Sequence, residues 1–325
     1  MLVESLLVVA GLVLLTVAAD HLVLGASRIA TRLRIAPVVV GVVVIGLGTS
    51  APEFLVSGVA AARGDVGIAV GNIVGSNILN VTLILGVAAL VASVGVTSTV
   101  IRREVRLAVA SVVVFAVATW VGLSVWTGAF LAAAAAGALA LLVRWARQGR
   151  NQEVASDALE FAESPGVVDV PVPPSRLPMF VDPVRTVLGL AGVLVGAQLM
   201  VVNASSIATE FGVPQIVIGL TLVALGTSLP ELVTTVAAQR RGESDLVVGN
   251  LFGSNLFNSL AGGAVIGFAG PAGSSARPAV ALLAVMVLTA VIAWALLRRG
   301  LRLTRVDGAI LLGCYLVSLP IVLAS

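Results

Sequence analysis

The chain has 325 residues, of which 59% are hydrophobic and 11% are charged, and its mean hydropathy of +1.12 excludes a soluble globular domain and is typical of a bilayer protein. The formal charge of +3 does not indicate a nucleic-acid partner, because all nineteen basic residues are arginines, mostly in short gaps between apolar runs, where they act as topology signals. The single cysteine, Cys314, excludes an intramolecular disulfide and a cysteine-rich metal site.

Ten apolar segments are long enough to cross a membrane, since a spanning helix needs about 20 apolar residues. In chain order, the predicted spans are Leu2–Ala19, Ala36–Ala62, Val66–Ala92, Leu107–Val121, Val125–Trp145, Val184–Val202, Val213–Ala238, Leu246–Phe268, Pro278–Leu296 and Val306–Leu323. The sequence therefore predicts an all-α integral membrane protein.

The arginines predict the orientation of these spans. With the N-terminus outside, 17 of the 19 arginines fall in cytoplasmic segments, and only Arg63 and Arg277 fall outside. This distribution follows the positive-inside rule. We therefore expect a multi-pass protein of the cell (inner) membrane, with both termini extracytoplasmic and the central connection cytoplasmic.

Two motifs occur twice in the chain at a constant offset of 178 residues. GTSAPE at 48–53 returns as GTSLPE at 226–231, and GNIVGSNILN at 71–80 returns as GNLFGSNLFN at 249–258. Each half contains five predicted spans, and because five is odd, the second half enters the membrane from the opposite side. The expected fold is therefore ten transmembrane helices in two inverted five-helix repeats. Such repeats, with interrupted helices at matching positions, indicate a secondary transporter with a site near the midplane.

A connection at 148–183 separates the two repeats, 1–147 and 184–325. It is rich in proline and acidic residues, a composition typical of a disordered segment. Its carboxylates lack the spacing of an EF-hand loop, and the segment is too short for a folded regulatory domain. A solvated cytoplasmic linker is therefore favoured over a calcium sensor.

The first motif combines helix-breaking residues with a charge. Gly48 and Pro52 predict a break in the second span, because proline cannot donate the helical hydrogen bond and glycine weakens the helix. Thr49 and Ser50 are expected to cap the new half-helix. An ionised side chain such as Glu53 at the bilayer centre costs roughly 2.5 to 3.5 kcal/mol on insertion scales. A purely structural role is therefore not expected for this glutamate or for its counterpart in the second repeat.

The second motif adds neutral oxygen atoms. Its Gly75–Asn77 step is expected to interrupt the third span, and Asn80 follows Ser76 by four residues, which places both on one helical face. Ser254 and Asn258 repeat this spacing. Carboxylate, hydroxyl, amide and carbonyl oxygens form a hard ligand set that suits Ca2+ and Na+ and disfavours zinc, copper and iron. Two roles are open for Asn72, Asn77, Asn250 and Asn255, and hydrogen bonding between helices is favoured at least as much as contact with an ion.

The paired GTSxPE and GNxxGSNxxN motifs resemble the two α-repeats of the sodium/calcium exchangers, within the cation/calcium antiporter superfamily, and the likeness covers both halves. The resemblance implies an antiporter, not an enzyme, that exchanges Na+ for Ca2+ at a midplane all-oxygen site by alternating access. It implies that Glu53 and Glu231 are the central cation ligands. The other implied ligands are the side chains of Thr49, Ser50, Thr227, Ser228, Ser76, Ser254, Asn80 and Asn258 and the carbonyl oxygens of Gly46 and Ala224.

Asn258 departs from some exchangers, which carry aspartate at this position. With asparagine in both repeats, a site charge near −2 is left, which neutralises one Ca2+, whereas three Na+ would leave a surplus positive charge. Protons are an alternative coupling ion, because burial favours the protonated form of a carboxyl group, and a K+-dependent exchange is another. The Thr-Ser pair before each glutamate resembles the sodium branch of the superfamily rather than the proton branch.

The resemblance also implies that spans one and six slide against the remaining bundle. Their polar residues Asp20, His21 and Gln198 are expected near the span ends, with His21 interfacial rather than a proton relay. Ca2+ and Na+ are the expected substrates and the bilayer is the expected surrounding, with no cofactor, nucleic acid or obligatory protein partner.

Two functions from other classes are alternatives. An intramembrane serine protease could draw on Ser50, Ser76 and His21, but the chain has no GxSxG motif, and the histidine is expected near a membrane face while the serines lie deep. A cation channel could also be lined by broken helices that carry glutamates. Counter-transport separates these functions, because only an exchanger moves Ca2+ uphill when a Na+ gradient is imposed.

Overall fold

The structure is a computed structural model that describes residues 2–96, 101–163, 180–212, 224–271 and 280–323. Over these ranges the chain is almost entirely helical, as its composition predicts. A two-residue antiparallel ladder is the exception there: β1 (Val94–Gly95) pairs with β2 (Arg302–Leu303), with Val94 opposite Leu303.

The helices follow the order of the predicted spans. The first half contains α1 (Leu2–Leu33), α2 (Pro37–Val40), α3 (Leu47–Thr49), α4 (Ala51–Ala62), α5 (Val66–Leu79), α6 (Leu85–Val91), α7 (Arg106–Val121) and α8 (Val125–Glu163). The second half contains α9 (Val181–Glu210), α10 (Ala224–Thr227), α11 (Leu229–Arg240), α12 (Ser244–Phe257), α13 (Gly263–Ala269), α14 (Val280–Gly300) and α15 (Arg305–Leu323). Turns of π-helix lie at Gly41–Gly46, Asn80–Ile84, Ile101–Val105 and Asn258–Gly262.

Within the described ranges, 7 helices are long and apolar enough to cross a membrane, and a bent pair, Pro37–Thr49 with Ala51–Ala62, adds one more if it forms a single span. Residues 213–223 of the predicted seventh span and the start of the ninth lie outside the described residues. The helical membrane fold is therefore confirmed, while the count of ten spans stays a prediction.

Several helices extend beyond the predicted spans. Helix α1 continues to Leu33, so Asp20 and His21 lie within the helix rather than at its end. Helix α8 continues to Glu163, so the expected disorder is wrong for 148–163. This stretch contains three alanines, three glutamates and two glutamines, which are strong helix formers, and the first proline follows only after it. Residues 164–179 of the predicted linker lie outside the described part.

The break in the second span is confirmed. The chain runs as helix and π-turn to Thr49, changes direction by 43°, and resumes as α4 at Ala51. Ser50 occupies the break with φ −78° and ψ 3°, between Gly48 and Pro52 as the sequence predicts. In the second repeat, Ser228 takes the equivalent position before α11, with φ −95° and ψ 7°.

The predicted interruption of the third span at Gly75–Asn77 is wrong. Helix α5 runs through these residues to Leu79, and the irregularity is a π-turn at Asn80–Ile84. The second repeat has the same arrangement, with a π-turn at Asn258–Gly262. Glycine without proline weakens a helix but removes no hydrogen bond, so the helix continues, and turns of this kind are frequent at functional sites.

The two helices that carry the second motif form the centre of the molecule. In the most apolar part of each helix, 78% of the residues are buried for Val66–Val91 and 83% for Ser244–Ala269. The corresponding share is 22% for α1 and for α9. Close backbone contact joins the repeats here, because a Cβ atom on Gly41 would lie 3.0 Å from Gly249 Cα. Small residues allow such contact between membrane helices.

Helices α1 and α9 pack against each other outside this centre. A Cβ atom on Gly189 would lie 2.6 Å from the Leu22 backbone nitrogen, so only glycine fits there. Asp182, in the first turn of α9, is fully buried and pairs with Arg32 at 3.1 Å, Arg185 at 3.6 Å and Arg28 at 3.7 Å. The two helices implied to slide therefore form a closely packed pair.

Candidate cation site

The two repeated glutamates lie at equivalent points of the fold. Glu53 is in the first turn of α4 and Glu231 is in the first turn of α11, each just after the break in its span. Both side chains are fully buried. A helix N-terminus favours negative charge, so the breaks help to hold two carboxylates away from water.

A crossed pair of hydrogen bonds joins the two repeats at these carboxylates. The Ser50 hydroxyl donates to Glu231 Oε1 at 3.4 Å, and the Ser228 hydroxyl donates to Glu53 Oε1 at 3.3 Å. In each bond, the donor and the acceptor belong to different repeats. The candidate site is therefore built by both halves of the chain.

The expectation that Thr49 and Ser50 cap the half-helix is wrong. Ser50 occupies the N-cap position of α4 but makes no side-chain capping bond, because its hydroxyl donates to Glu231 instead. Ser228 behaves in the same way before α11. The Thr49 hydroxyl donates back to the Ile45 carbonyl at 3.0 Å and lies 3.3 Å from Asn250 Oδ1.

The serines of the second motif contact the carboxylate of their own repeat. The Ser76 hydroxyl donates to Glu53 Oε1 at 3.4 Å, and the Ser254 hydroxyl donates to Glu231 Oε1 at 3.3 Å. Ser254 also lies 3.1 Å from the Gly46 carbonyl oxygen, where a Cβ atom on Gly46 would be 2.9 Å from the Ser254 nitrogen. Glycine at 46 thus lets one of the implied carbonyl ligands reach the site.

Several buried oxygens on residues of the two motifs have no hydrogen-bond partner among the described residues. They are Glu53 Oε2, Glu231 Oε2, Asn80 Oδ1 and Asn258 Oδ1. The four side chains that carry them are all 0% exposed. Buried polar groups are normally paired, and all four of these atoms are acceptors. A group of unpaired, buried acceptors has the chemistry of a site for a hard cation.

Two asparagines hydrogen-bond to the backbone carbonyls of the glutamates. Asn72 Nδ2 donates to the Glu53 carbonyl oxygen at 3.3 Å and to Ser57 Oγ at 3.0 Å. Asn250 Nδ2 donates to the Glu231 carbonyl oxygen at 3.3 Å and also to Thr234 and Thr235 at 3.0 Å. These bonds join neighbouring helices, in agreement with the structural alternative for both asparagines.

Asn77 and Asn255 also bond between helices. Asn77 Nδ2 donates to Ser259 Oγ at 3.0 Å, and Asn255 Nδ2 donates to the Asn77 carbonyl oxygen at 3.0 Å. Asn255 Oδ1 accepts from Asn80 Nδ2 at 3.0 Å. The symmetric counterpart of this last bond is not formed, since Asn258 Nδ2 and Asn77 Oδ1 both lack partners among the described residues.

Sequence reasoning missed the hydroxyls at Ser57 and Thr235. Each lies one turn after its glutamate, at the same offset of 178 residues, and each accepts a hydrogen bond from the supporting asparagine. The repeated register carried the signal, because both positions hold a hydroxyl. Of the remaining predicted site residues, Thr227 is buried at 8% exposure beside the second break and Ala224 begins α10.

No ion pair involving Glu53 or Glu231 is present in the part of the chain that the structure describes. The ion pairs found there include those of Asp182 and that between Arg241 and Asp20. The described residues also contain no group of three or more His, Cys, Asp or Glu side chains that could hold a metal ion. The site therefore combines two carboxylates with neutral oxygens, which is not the donor set of a zinc or iron centre.

Comparison with known proteins agrees with this geometry. A family model described as sodium/calcium exchanger protein matches residues 4–144 and 183–324, one match for each repeat. The inner membrane protein YrbG of Escherichia coli (strain K12) is 39% identical over 262 residues, which cover 79% of this chain and 77% of that protein. The sodium/calcium exchanger MaX1 of Methanosarcina acetivorans is 31% identical over 280 residues, with 79% and 80% covered.

A solved structure supports the same relationship over nearly the whole chain. The sodium-calcium exchanger NCX_Mj, in a crystal soaked with Na+ and Ca2+, aligns with a TM-score of 0.82 at 30% identity and covers 98% of both chains. Fold, paired motifs and family model agree, and they make this multi-pass membrane protein a member of the sodium/calcium exchanger family, a family of cation transporters rather than enzymes.

Proposed function

We propose that this protein is a secondary active antiporter that exchanges Na+ for Ca2+ across the membrane. The observation that carries the proposal is the set of four buried, unpaired acceptor oxygens on residues of the two repeated motifs, Glu53, Glu231, Asn80 and Asn258. They form a hard donor set of the kind that suits Ca2+ and Na+. The exchanger names of the relatives support the choice of these two ions.

The proposed ligands are the twelve residues that the motifs indicate. The carboxylates of Glu53 and Glu231 carry the charge. The neutral ligands are the side chains of Thr49, Ser50, Ser76, Asn80, Thr227, Ser228, Ser254 and Asn258 and the carbonyls of Gly46 and Ala224. Ca2+ and Na+ compete for these oxygens, so neither ion occupies the site fully while the other does.

Transport follows from this competition by alternating access. The loaded site reorients, while the empty site, with two uncompensated carboxylates away from water, does not. The inverted repeat provides two conformations of similar free energy, because the halves can exchange shapes. We further propose that both termini are extracytoplasmic and that the central linker is cytoplasmic, as the arginine distribution indicates.

The test is uptake of labelled Ca2+ into proteoliposomes driven separately by Na+, K+ and pH gradients. We expect uphill Ca2+ uptake with Na+-loaded vesicles and none above equilibrium with the other two. Uphill uptake with only a pH gradient would identify a proton-coupled exchanger, for which the complete burial of both glutamates is the supporting observation. Downhill flux alone under every gradient would identify a channel.

A further inference from the structure

One side of the molecule carries polar contacts between α1 and the turn that joins α11 to α12. The Ser27 hydroxyl donates to Glu243 Oε1 at 2.5 Å. Arg241 lies 3.4 Å from Asp20. We call these four residues the first latch. It ties one of the two closely packed outer helices to the central bundle.

The repeat register defines an equivalent set of four residues on the opposite side. At the offset of 178 residues, Ser27 corresponds to Ser205 and Glu243 corresponds to Asp65. Asp20 and Arg241 correspond to Gln198 and Arg63. We call Ser205, Asp65, Gln198 and Arg63 the second latch.

The two turns have the same backbone. Gly64 and Gly242 both have positive φ, at 90° and 74°, in a left-handed conformation that favours glycine. The Asp65 and Glu243 amides each donate at 3.0 Å to the carbonyl five residues earlier. Both acidic residues occupy the N-cap position of the next helix, and neither caps it with its side chain. The local sequence thus presents a carboxylate in the same way on both sides.

The contacts of the two latches nevertheless differ. Ser205 Oγ is buried and has no hydrogen-bond partner among the described residues, whereas Ser27 donates to Glu243. Asp65 is exposed, whereas Glu243 is half-buried. Helix Leu2–Leu33 packs along Leu229–Arg240, but the equivalent pair, Val181–Glu210 and Ala51–Ala62, does not pack in this way. The molecule is therefore closed at the first latch and open at the second.

We propose that the two latches are gating contacts that close alternately. In the opposite conformation, Ser205 donates to Asp65, and Ser27 leaves Glu243. The outer pair of helices is one packed unit, so its movement toward one turn is movement away from the other. This inference rests on the proposed exchange function, because it assigns the contacts that hold each side shut while the ion site faces the other.

The second latch is weaker by composition. Gln198 replaces the aspartate that pairs with Arg241 in the first latch, so no ion pair can form with Arg63. The conformation closed at the first latch is therefore expected to predominate in the resting protein, as in this structure.

Cross-linking of cysteine pairs tests the proposal in the full chain with Cys314→Ala as background. One variant carries Ser27→Cys with Glu243→Cys, and another carries Ser205→Cys with Asp65→Cys. A short bifunctional thiol reagent is applied to proteoliposomes, and cross-linked peptides are quantified by mass spectrometry. We expect the first pair to react quickly and the second pair to react more slowly but to completion.

Swapped pairs are the matched controls, since Ser27→Cys with Asp65→Cys and Ser205→Cys with Glu243→Cys join opposite sides in every conformation. Reaction of the second pair no greater than that of the swapped pairs, with or without ion gradients, would overturn the proposal. Equal reaction of all four pairs would also overturn it.

A single substitution tests the energetic side of the gate. Ser27→Ala removes a hydrogen bond to a charged group, so we expect the reaction rate of the second cysteine pair to rise about tenfold. An unchanged rate would mean that the contact does not bias the conformations. Cross-linking does not depend on which ion is transported. It can therefore fail while Na+-driven Ca2+ uptake succeeds, or succeed while that uptake fails. The gate and the proposed function are thus tested separately.

Discussion

At the residue scale, each glutamate of the site has one oxygen that is held and one that is free. Glu53 Oε1 accepts from Ser228 and Ser76, while its Oε2 has no partner among the described residues. Glu231 has the same arrangement with Ser50 and Ser254. The serines hold one oxygen of each carboxylate, and the other oxygen is available to the proposed ion. Such an arrangement is preorganised, so little ordering is needed when a cation binds.

Glu53→Gln and Glu231→Gln are each expected to abolish Ca2+ uptake without unfolding the protein. An amide keeps the volume of the side chain but removes its charge and can place an N–H donor where a cation needs a lone pair. Uptake in proteoliposomes and thermal stability in detergent are the measurements. Glu104→Gln is the matched control, because Glu104 is also a buried carboxylate but lies outside the site. Normal uptake by either site variant would contradict the ligand assignment.

Ser50→Ala and Ser228→Ala are expected to weaken Ca2+ binding by similar factors. Each removes one donor to the carboxylate of the other repeat, at 3.4 Å and 3.3 Å. A hydrogen bond to a charged group is worth about 1.5 kcal/mol at the lower end, so the KM for Ca2+ should rise about tenfold in each variant. Ser111→Ala is the control, since among the described residues that buried hydroxyl bonds only the Leu107 carbonyl of its own helix. A strong effect in one variant and none in the other would show that the two bonds are not equivalent.

At the element scale, the sequence predicts a break in a helix only where it contains a residue that removes a helical hydrogen bond. Gly48 and Pro52 located the break at Ser50 correctly, because proline removes a helical hydrogen bond. The π-turn at Asn80–Ile84 has no comparable residue signature, and glycine alone led to the wrong position for the interruption. The motifs also singled out both glutamates as candidate ligands. The crossed serine bonds could not be predicted, because they depend on how two helices that are distant in sequence pack together.

Gly189→Ala is expected to destabilise the packed pair of α1 and α9. The added Cβ atom would lie 2.6 Å from the Leu22 nitrogen and 2.8 Å from its Cα, and backbone atoms cannot rotate away as a side chain can. Overpacking of this kind typically costs about 1–3 kcal/mol, so the thermal midpoint should fall. Gly137→Ala in α8 is the control, because no atom of the described residues, apart from its chain neighbours and the adjacent backbone of its own helix, lies within 4 Å of its Cβ position, and alanine favours a helix by about 0.5–1 kcal/mol. Equal midpoints for the two variants would contradict the close contact.

At the scale of the whole molecule, the two repeats share a backbone but not every contact. Asn77 Nδ2 donates to Ser259, while the position equivalent to Ser259 in the first repeat is Val81, which has no hydroxyl. The hydrogen bond from Asn80 Nδ2 to Asn255 Oδ1 is formed, and its counterpart from Asn258 Nδ2 to Asn77 Oδ1 is not. The first of these differences follows from the sequence, whereas the second lies between identical residue types and therefore depends on how the helices pack.

Asn258→Asp is expected to change how many Na+ ions the protein moves for each Ca2+. The two glutamates give the site a charge near −2, which one Ca2+ or two Na+ can balance, and an aspartate adds a charge that a third Na+ can balance. Uptake should therefore depend more steeply on Na+, and the current per Ca2+ should rise. The substitution should be tolerated, because neither polar side-chain atom of Asn258 has a partner among the described residues to lose.

Asn80→Asp is the matched comparison, since it adds the same charge in the other repeat but removes the donor to Asn255. Its thermal stability should fall by about 1–3 kcal/mol relative to Asn258→Asp, because a buried acceptor loses its partner. Solid-supported membrane currents and flux measured on the same proteoliposomes provide both readouts. Unchanged Na+ dependence and current in Asn258→Asp would place this residue outside the ion site and leave the two glutamates to select the ions with the hydroxyls alone.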